Sequence, residues 1–456
     1  MKGFCKKMTD KQVNMALEST RNLFITGPAG TGKSYLLNKY INEHDNVLVC
    51  APTGIAALNI GGDTMHKVFH IPIPAFESPS FAKGKKGAIT QSQLNVIANA
   101  DTIIIDEISM CRNDVFAFAV KVIRKAERLK GSKIKVIVCG DFSQLPPVVK
   151  KNEISLMKKF GLDPSGYAFT TSEWKSMNFK VIELTEVKRQ DDVEFVNELN
   201  KIRIGDYSNL EYFNQFVNAK PVNNDAICIC GTNAEADRLN SEYLENLPGP
   251  TSVLQSKKTG RCSSGLVDDF ILVKVGARVI FTANDVIKNK YKNGTFGIVK
   301  SIGDDNVVVT INGNDEIVCR KNYPIYSFSV KGNSLSKKEI GSISQYPFKL
   351  GKAITIHKSQ GQTFNNVVIS PEIFAAGQLY VVLSRVRSTD GLVLLKPVLQ
   401  EYVIIDSKVR KFYDNGYKWD VQKKPVRKST AKKKTVKKPV HKKTVSKKSK
   451  QVSRKK

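Results

Sequence analysis

The chain of 456 residues has no apolar run near the roughly 18–20 residues that a membrane-spanning helix needs. Its first ten residues hold no apolar signal core, which predicts an intracellular protein rather than a secreted one. Cysteine is sparse, eight in all, and no two are spaced C-x-x-C, which argues against structural zinc. Several (Cys50, Cys139, Cys228, Cys230) sit inside apolar, strand-like runs, where reduced and buried thiols are expected. Acids are outnumbered, 42 Asp and Glu against 72 Lys and Arg, for a net charge of +30. From Gln422 to Lys456 acids are absent altogether, while that stretch holds 17 of the 72 bases. The rest of the chain carries 55 bases against 42 acids. What is present in quantity is apolar surface: 41% hydrophobic residues, with 22 Phe and 14 Tyr. That excludes a wholly disordered chain.

Short β-branched runs alternate with helical patterns. Residues 22–26, 46–51, 102–105 and 135–139 read as strands, and 34–41 reads as the helix after the first of them. Continuous apolar strands alternating with helices predict an α/β fold with a parallel sheet. The texture returns in 226–230, 235–244, 366–369, 378–386 and 392–395, so a second such domain is expected. The stretch 260–344 differs. It alternates apolar and polar residues and carries the turn dipeptides Gly276-Ala277, Asn293-Gly294 and Asn312-Gly313, as a small all-β insertion would. The expected organisation is a first domain over 1–184, a second over 185–259 and 345–412, the insertion over 260–344, and a tail over 422–456. Ile71 to Lys86, within a stretch of about 70–90, has three prolines and a basic end.

Gly27-Pro28-Ala29-Gly30-Thr31-Gly32-Lys33-Ser34 matches G-x4-G-K-[ST]. The glycines let the backbone turn and approach phosphates, and the following helix N-terminus faces the anion. Lys33 is suited to the β/γ phosphates, and the Ser34 hydroxyl to Mg²⁺. The pattern predicts ATP as cofactor. Asp106-Glu107 follows the apolar strand 102–105, where a carboxylate can ligate Mg²⁺ (Asp106) and its neighbour can deprotonate a water (Glu107). Gly140 to Val148 follows the strand 135–139 and places Gln144 within reach of a γ-phosphate.

These blocks, with others, resemble a superfamily-one DNA helicase of the 5′→3′ branch, the group of the petite-integration-frequency helicases and RecD-like proteins. The matching blocks run in the family's order. They are Gln12; the P-loop; Ala51 to Ala57; Gly62 to His66; Asp106 to Ser109; Gly140 to Val148; Leu184-Thr185 through Arg189-Gln190; Ile354 to Gly361; and Val381 to Arg385. The helix-like 116–125 favours the petite-type subgroup. The resemblance implies two RecA-like parallel-sheet domains, with a small β-barrel inserted in the second to cover a bound strand. It implies Arg189 and Arg385 as charges on the transferring phosphate, the latter in the helix 378–386, with Arg387 pointing elsewhere. Gln12 would read adenine, and Gly27, Gly30, Thr31, Gly32 and Gly361 would line the nucleotide site. Two mirrored loops would grip single-stranded DNA: Thr53, Gly54 and His66 in the first domain, and Thr355, His357, Lys358 and Ser359 in the second. Hydroxyls, backbone N–H groups and a lysine suit contacts that follow a strand without reading its sequence. Residues 71–86 would be a strand-separating wedge.

The function so implied is ATP-dependent 5′→3′ translocation on single-stranded DNA and opening of forked or tailed duplex, in replication, repair or recombination. No membrane partner is expected. An RNA helicase or ribonucleoprotein remodeller is the alternative, and a non-hydrolysing DNA-binding scaffold is a third reading. The lysine-rich tail cannot bury enough surface to fold alone. It suits a phosphate-binding arm or a nuclear address.

Overall fold

The structure is a computed structural model and describes residues 10–72, 89–220, 226–262, 267–283, 285, 290–291, 294–331 and 334–418. The tail, and all of the expected wedge after Pro72, lie outside the described residues.

The first domain runs α1 (Asp10–Leu17), β1 (Leu23–Thr26), α2 (Lys33–Glu43), β2 (Val47–Ala51), α3 (Gly54–Asn59), β3 (Asp63–Thr64) and α4 (Met65–Val68). It continues through α5 (Gln91–Ala98), β4 (Thr102–Ile105), α6 (Asn113–Lys130), β5 (Lys135–Cys139), α7 (Ile154–Lys159), α8 (Ser172–Met177) and β6 (Lys180–Glu183). Its strands form one parallel sheet in the order β3-β2-β4-β5-β1-β6. The apolar runs that marked these strands are buried on both faces. Ile103, Ile104 and Ile105 are wholly enclosed, and each contributes about 1.5–3 kcal/mol by burial. One core forms on each side of the sheet, the larger around Phe24, Phe116, Phe142 and Trp174.

The second domain begins with α9 (Val193–Arg203), α10 (Leu210–Asn214), β7 (Ile227–Cys230) and α11 (Asn233–Glu245). The chain then departs into antiparallel strands: β8 (Ser252–Gln255), β9 (Lys257–Gly260), β10 (Phe270–Val273), β11 (Arg278–Phe281), β12 (Phe296–Ile302), β13 (Asn306–Ile311), β14 (Asn314–Cys319), β15 (Lys321–Lys331), β16 (Ser334–Gln345) and β17 (Phe348–Leu350). It returns through β18 (Ala353–Thr355), α12 (Ile356–Ser359), β19 (Val367–Ile369), α13 (Gln378–Leu383), β20 (Leu392–Leu394) and α14 (Ser407–Asp414). The parallel sheet β18-β7-β19-β20 re-forms across the insertion. Among the described residues, no helix is long and apolar enough to cross a membrane.

Three features depart from the sequence expectations. The antiparallel region is longer at both ends than 260–344. Its first strands, Ser-Val-Leu-Gln and Lys-Lys-Thr-Gly, are mostly exposed and show almost no alternation. Asn312-Gly313 closes a two-residue hairpin, both residues at positive φ (49° and 84°) as a type I′ turn needs. Gly294, however, ends a long connection between β11 and β12, and Asn293 lies outside the described residues. Finally, α14 does not stay with the second sheet. Its Val409 and Phe412 complete the first domain's core, where Phe412 stacks on Phe169 at 4.3 Å.

Candidate active site

Strands β4, β5 and β1 are neighbours, so the loops leaving their carboxyl ends lie side by side. These loops are Gly27–Gly32 after β1, Asp106-Glu107 after β4 and Asp141–Gln144 after β5. Ligands of open parallel sheets bind at this edge. A cavity of about 500 Å³ opens there. Residues 29–34, Glu107 and Gln144 line it from the first domain, Lys188 and Arg189 from the connector, and Gly361, Arg385 and Arg387 from the second domain.

The loop is held from both sides. Gly30 accepts a hydrogen bond from the Lys188 N–H (2.8 Å). Its φ is +79°, and a Cβ there would stand 2.6 Å from the Cβ of Arg189, so only glycine lets the two segments meet. The Ala29 N–H donates to the Tyr380 hydroxyl of α13 at 2.7 Å. Thr31 is buried and donates to the Pro28 carbonyl. Lys33 Nζ donates to the Gly27 and Pro28 carbonyls, each at 2.8 Å. Burial lowers the Lys33 pKa, while Asp141, Cys139 and Glu107 pull it back up.

Asp106 is buried, and its Oδ1 accepts from the Glu107 N–H at 2.8 Å. Desolvation raises its pKa. Glu107 adopts a left-handed backbone (φ 50°, ψ 45°) that turns its carboxylate into the cavity. Its pKa is pushed up to about 7, first by burial and then by Asp106; Lys33, Arg385 and a hydrogen bond from Gln360 oppose the rise. Gln144 is buried at the cavity wall, in a turn closed by its own N–H to the Asp141 carbonyl. Asp141 is itself fully enclosed. It accepts from Arg203 Nε (3.0 Å) and Nη2 (3.2 Å), from the Tyr413 hydroxyl (2.9 Å) and from the Ser143 N–H.

Arg189 donates to the Ser384 carbonyl at 3.2 Å. Arg385 lies beyond the helix expected to carry it, because α13 ends at Leu383. The guanidinium joins two segments: Nε donates to the Val381 carbonyl near the end of α13 (2.8 Å) and Nη1 to the Gln362 carbonyl after α12 (3.2 Å), with Nη2 on the Ser384 hydroxyl (2.7 Å). Burial, and then Arg189, push its pKa down to about 9. Arg387 corrects an expectation: it lines the cavity instead of pointing elsewhere. Gln12 sits exposed on α1 and is not among the residues that line this cavity.

The two clusters expected to grip a strand belong to short capped helices rather than to loops. Thr53 caps α3, Thr64 caps α4 and Thr355 caps α12. Gly54 opens α3, His66 lies in α4, and His357, Lys358 and Ser359 lie in α12. Burial lowers the pKa of both His66 and His357. Thr355 and Ser359 are buried, and their hydroxyls serve α12's own backbone. Lys358 lines a second cavity, of about 670 Å³. Ile55, Asn59 and Lys67 of the first domain and Lys321, Tyr323, Tyr346 and Lys349 of the insertion also face it. Burial and nearby Lys358 push the half-buried Lys349 ammonium down to about 8, against the pull of Asp268.

A PIF1-like helicase model matches residues 5–214. The ATP-dependent DNA helicase Pif1 of Campylobacter jejuni is 31% identical over 432 residues, which cover 86% of this chain and 94% of that protein. The chain belongs to the PIF1-like helicase family. A solved Bacteroides Pif1 in complex with ADP-AlF4 superposes with a TM-score of 0.78 at 31% identity, over 89% of this chain and 95% of that one. Bacteroides Pif1 bound to ssDNA superposes with a TM-score of 0.63 at 32% identity, over 89% and 96%. Within this PIF1-like site, sequence reasoning passed over Gln360. Its Nε2 donates to Glu107 Oε2 at 2.9 Å and lies 3.4 Å from Gln144 Oε1.

Proposed function

We propose that this chain is an ATP-dependent DNA helicase that moves 5′→3′ along single-stranded DNA and opens forked or tailed duplex, in replication, repair or recombination. The observation that carries the proposal is a cavity walled by a P-loop and Glu107 on one side and by Arg385 and Arg387 of the second domain on the other. Closing and opening that cavity would move one strand-gripping domain against its neighbour. ATP would meet the N-terminus of α2 and Lys33, which would exchange the Gly27 and Pro28 carbonyls for the β/γ phosphates. Glu107 would take the proton of the attacking water, and Gln144 would orient at the γ-phosphate. Arg189 and Arg385 would stabilise charge developing on the leaving phosphate. Arg385 would first have to give up part of its present set of carbonyls. By family likeness Gln12 would read adenine, and Gly361 would border the phosphates.

Ser34 and Asp106 are the residues suited to hold Mg²⁺. Asp106 is a buried carboxylate with one oxygen on a backbone N–H, and among the described residues it forms no salt bridge. That donor set fits a hard cation. Such an ion would supply charge neutralisation to the nucleotide phosphates.

The single strand would follow the second cavity, with phosphates near Lys358, Lys349 and Lys67 and bases near Tyr323 and Tyr346. Thr53, Gly54, His66, Thr355, His357 and Ser359 would act mainly by shaping and capping the short helices beside it. The 17-base tail would add a sequence-independent arm or serve as a nuclear address.

Turnover and strand separation measured with single-stranded DNA or RNA, on 5′- and 3′-tailed duplexes, test the proposal. DNA-stimulated hydrolysis and opening of the 5′-tailed duplex alone are expected. A preference for RNA would replace the substrate class. Nucleotide and DNA binding without hydrolysis would leave a scaffold.

A further inference from the structure

The second domain reaches the Glu107 carboxylate with a hydrogen bond from the Gln360 side chain. Gln360 stands where α12 ends, 7% exposed, immediately after the run Thr355–Ser359. Its amide nitrogen faces two oxygens of the first domain, Glu107 Oε2 at 2.9 Å and Gln144 Oε1 at 3.4 Å. The opposite amide orientation would set oxygen against oxygen at Glu107, so the donor orientation is the one the surroundings dictate. Among the described residues the amide oxygen, also buried, has no hydrogen-bond partner. Glu107 projects from a left-handed turn, and its own N–H is spent on Asp106. The hydrogen bond that orients its carboxylate therefore comes from Gln360, across 253 positions of sequence.

The other end of the same short segment faces the strand groove. Lys358 lines that groove, and its N–H is capped by the Thr355 hydroxyl at 3.3 Å. Lys358 and Gln360 are two positions apart, with Ser359 between them, a reach of at most about 7 Å of extended chain. One turn of capped helix is too short and too well packed to absorb a displacement at one end without moving the other.

We infer that Gln360 is a positioning residue that couples strand occupancy to hydrolysis. A phosphate seated at Lys358 fixes α12, and the amide at its end then holds Glu107 in register for the attacking water. The inference rests on the ATPase reading above, with Glu107 as the base.

The test uses the full chain carrying Gln360→Glu, Gln360→Ala or Glu107→Gln, and the Gln360→Ala, Glu107→Gln pair. Gln360→Glu keeps size and shape but replaces the donor with an acceptor facing Glu107. We expect saturating single-stranded DNA to support a kcat at least tenfold below wild type in Gln360→Glu and Gln360→Ala. KM for ATP should stay within about twofold, and so should nucleotide-free DNA affinity. Stimulation, the ratio of kcat with DNA to kcat without, should fall by a similar factor. In the Glu107→Gln background, Gln360→Ala should add less than twofold, because the residue acts through Glu107. Gln360→Glu retaining wild-type stimulation would overturn the inference, as would a full additional loss in the double variant. If the wild-type chain itself shows no DNA-stimulated turnover, the functional reading fails first, and this inference with it.

Discussion

The cavity at the P-loop and the cavity beside α12 are built on opposite plans. The phosphate cavity has rigid walls: backbone turns, a carboxylate in a left-handed conformation, and arginines already tied to carbonyls. Burial pushes its charges toward neutrality, Glu107 up to about 7 and Arg385 down to about 9. The second cavity, proposed to hold the strand, is larger, and its basic groups are lysines on flexible stems beside tyrosine rings. Chemistry on a phosphate needs dipoles fixed before the reaction. Travel along a polymer needs charge that releases one phosphate as readily as it takes the next. The contrast implies that substitutions in the first cavity act on turnover, whereas those in the second act on affinity and its dependence on salt and pH.

The largest effect belongs to Lys33→Ala. It should abolish ATP turnover and unwinding while the fold persists, since phosphoryl transfer depends on that charge. Near-normal turnover of the purified variant would break the contrast at its first cavity. Glu107→Gln comes next. Turnover should fall by about 10²-fold or more, within the range for losing a general base, while ATP and DNA binding survive. Unchanged turnover would place the base elsewhere.

The groove should answer more gently. Lys349 is charged below about 8 and loses its charge as pH rises through that value. A bound phosphate favours the charged form. Affinity for single-stranded DNA at constant ionic strength should therefore weaken from pH 7 to pH 9 by up to about tenfold, one pKa unit's worth of binding. Lys349→Gln should remove that pH-dependent component and bind weakly throughout. Lys349→Arg should remove it and bind well. Equal pH profiles for all three proteins would take Lys349 out of the strand's path. The smallest effect on turnover belongs to deleting 422–456. Kcat at saturating DNA should hold, while the slope of log affinity against log salt becomes shallower. An identical slope would leave the tail as an address.

The legibility of the sequence follows the same division. Runs such as Thr102–Ile105 and Lys135–Cys139 could be read because parallel strands are buried on both faces and leave an unbroken apolar signature. The P-loop could be read because phosphate contact dictates glycines at fixed offsets. Arg387 was misjudged because positions two apart diverge on a helix. The helix has ended by Leu383, the chain turns through Ser384 and Arg385, and an isolated bridge ties Val386 to Phe364, so helical spacing no longer sets where Arg387 points. The destination of α14 was hidden because two apolar residues three apart do not say which core they enter. Gln360 was missed for a chemical reason. An amide has no characteristic spacing, and its role is set by whatever faces it.

The left-handed turn at Glu107 has a consequence for how this protein can be altered. A non-glycine residue in that conformation costs on the order of 1–3 kcal/mol, retained only where surrounding packing over-determines it. The fold would therefore be better off with glycine at 107, and a search for thermostable variants by melting temperature alone would be drawn to that substitution. Such a search would find a sturdier protein with its motor disconnected. At this position durability and work are selected in opposite directions, and the glutamate marks which of the two has prevailed.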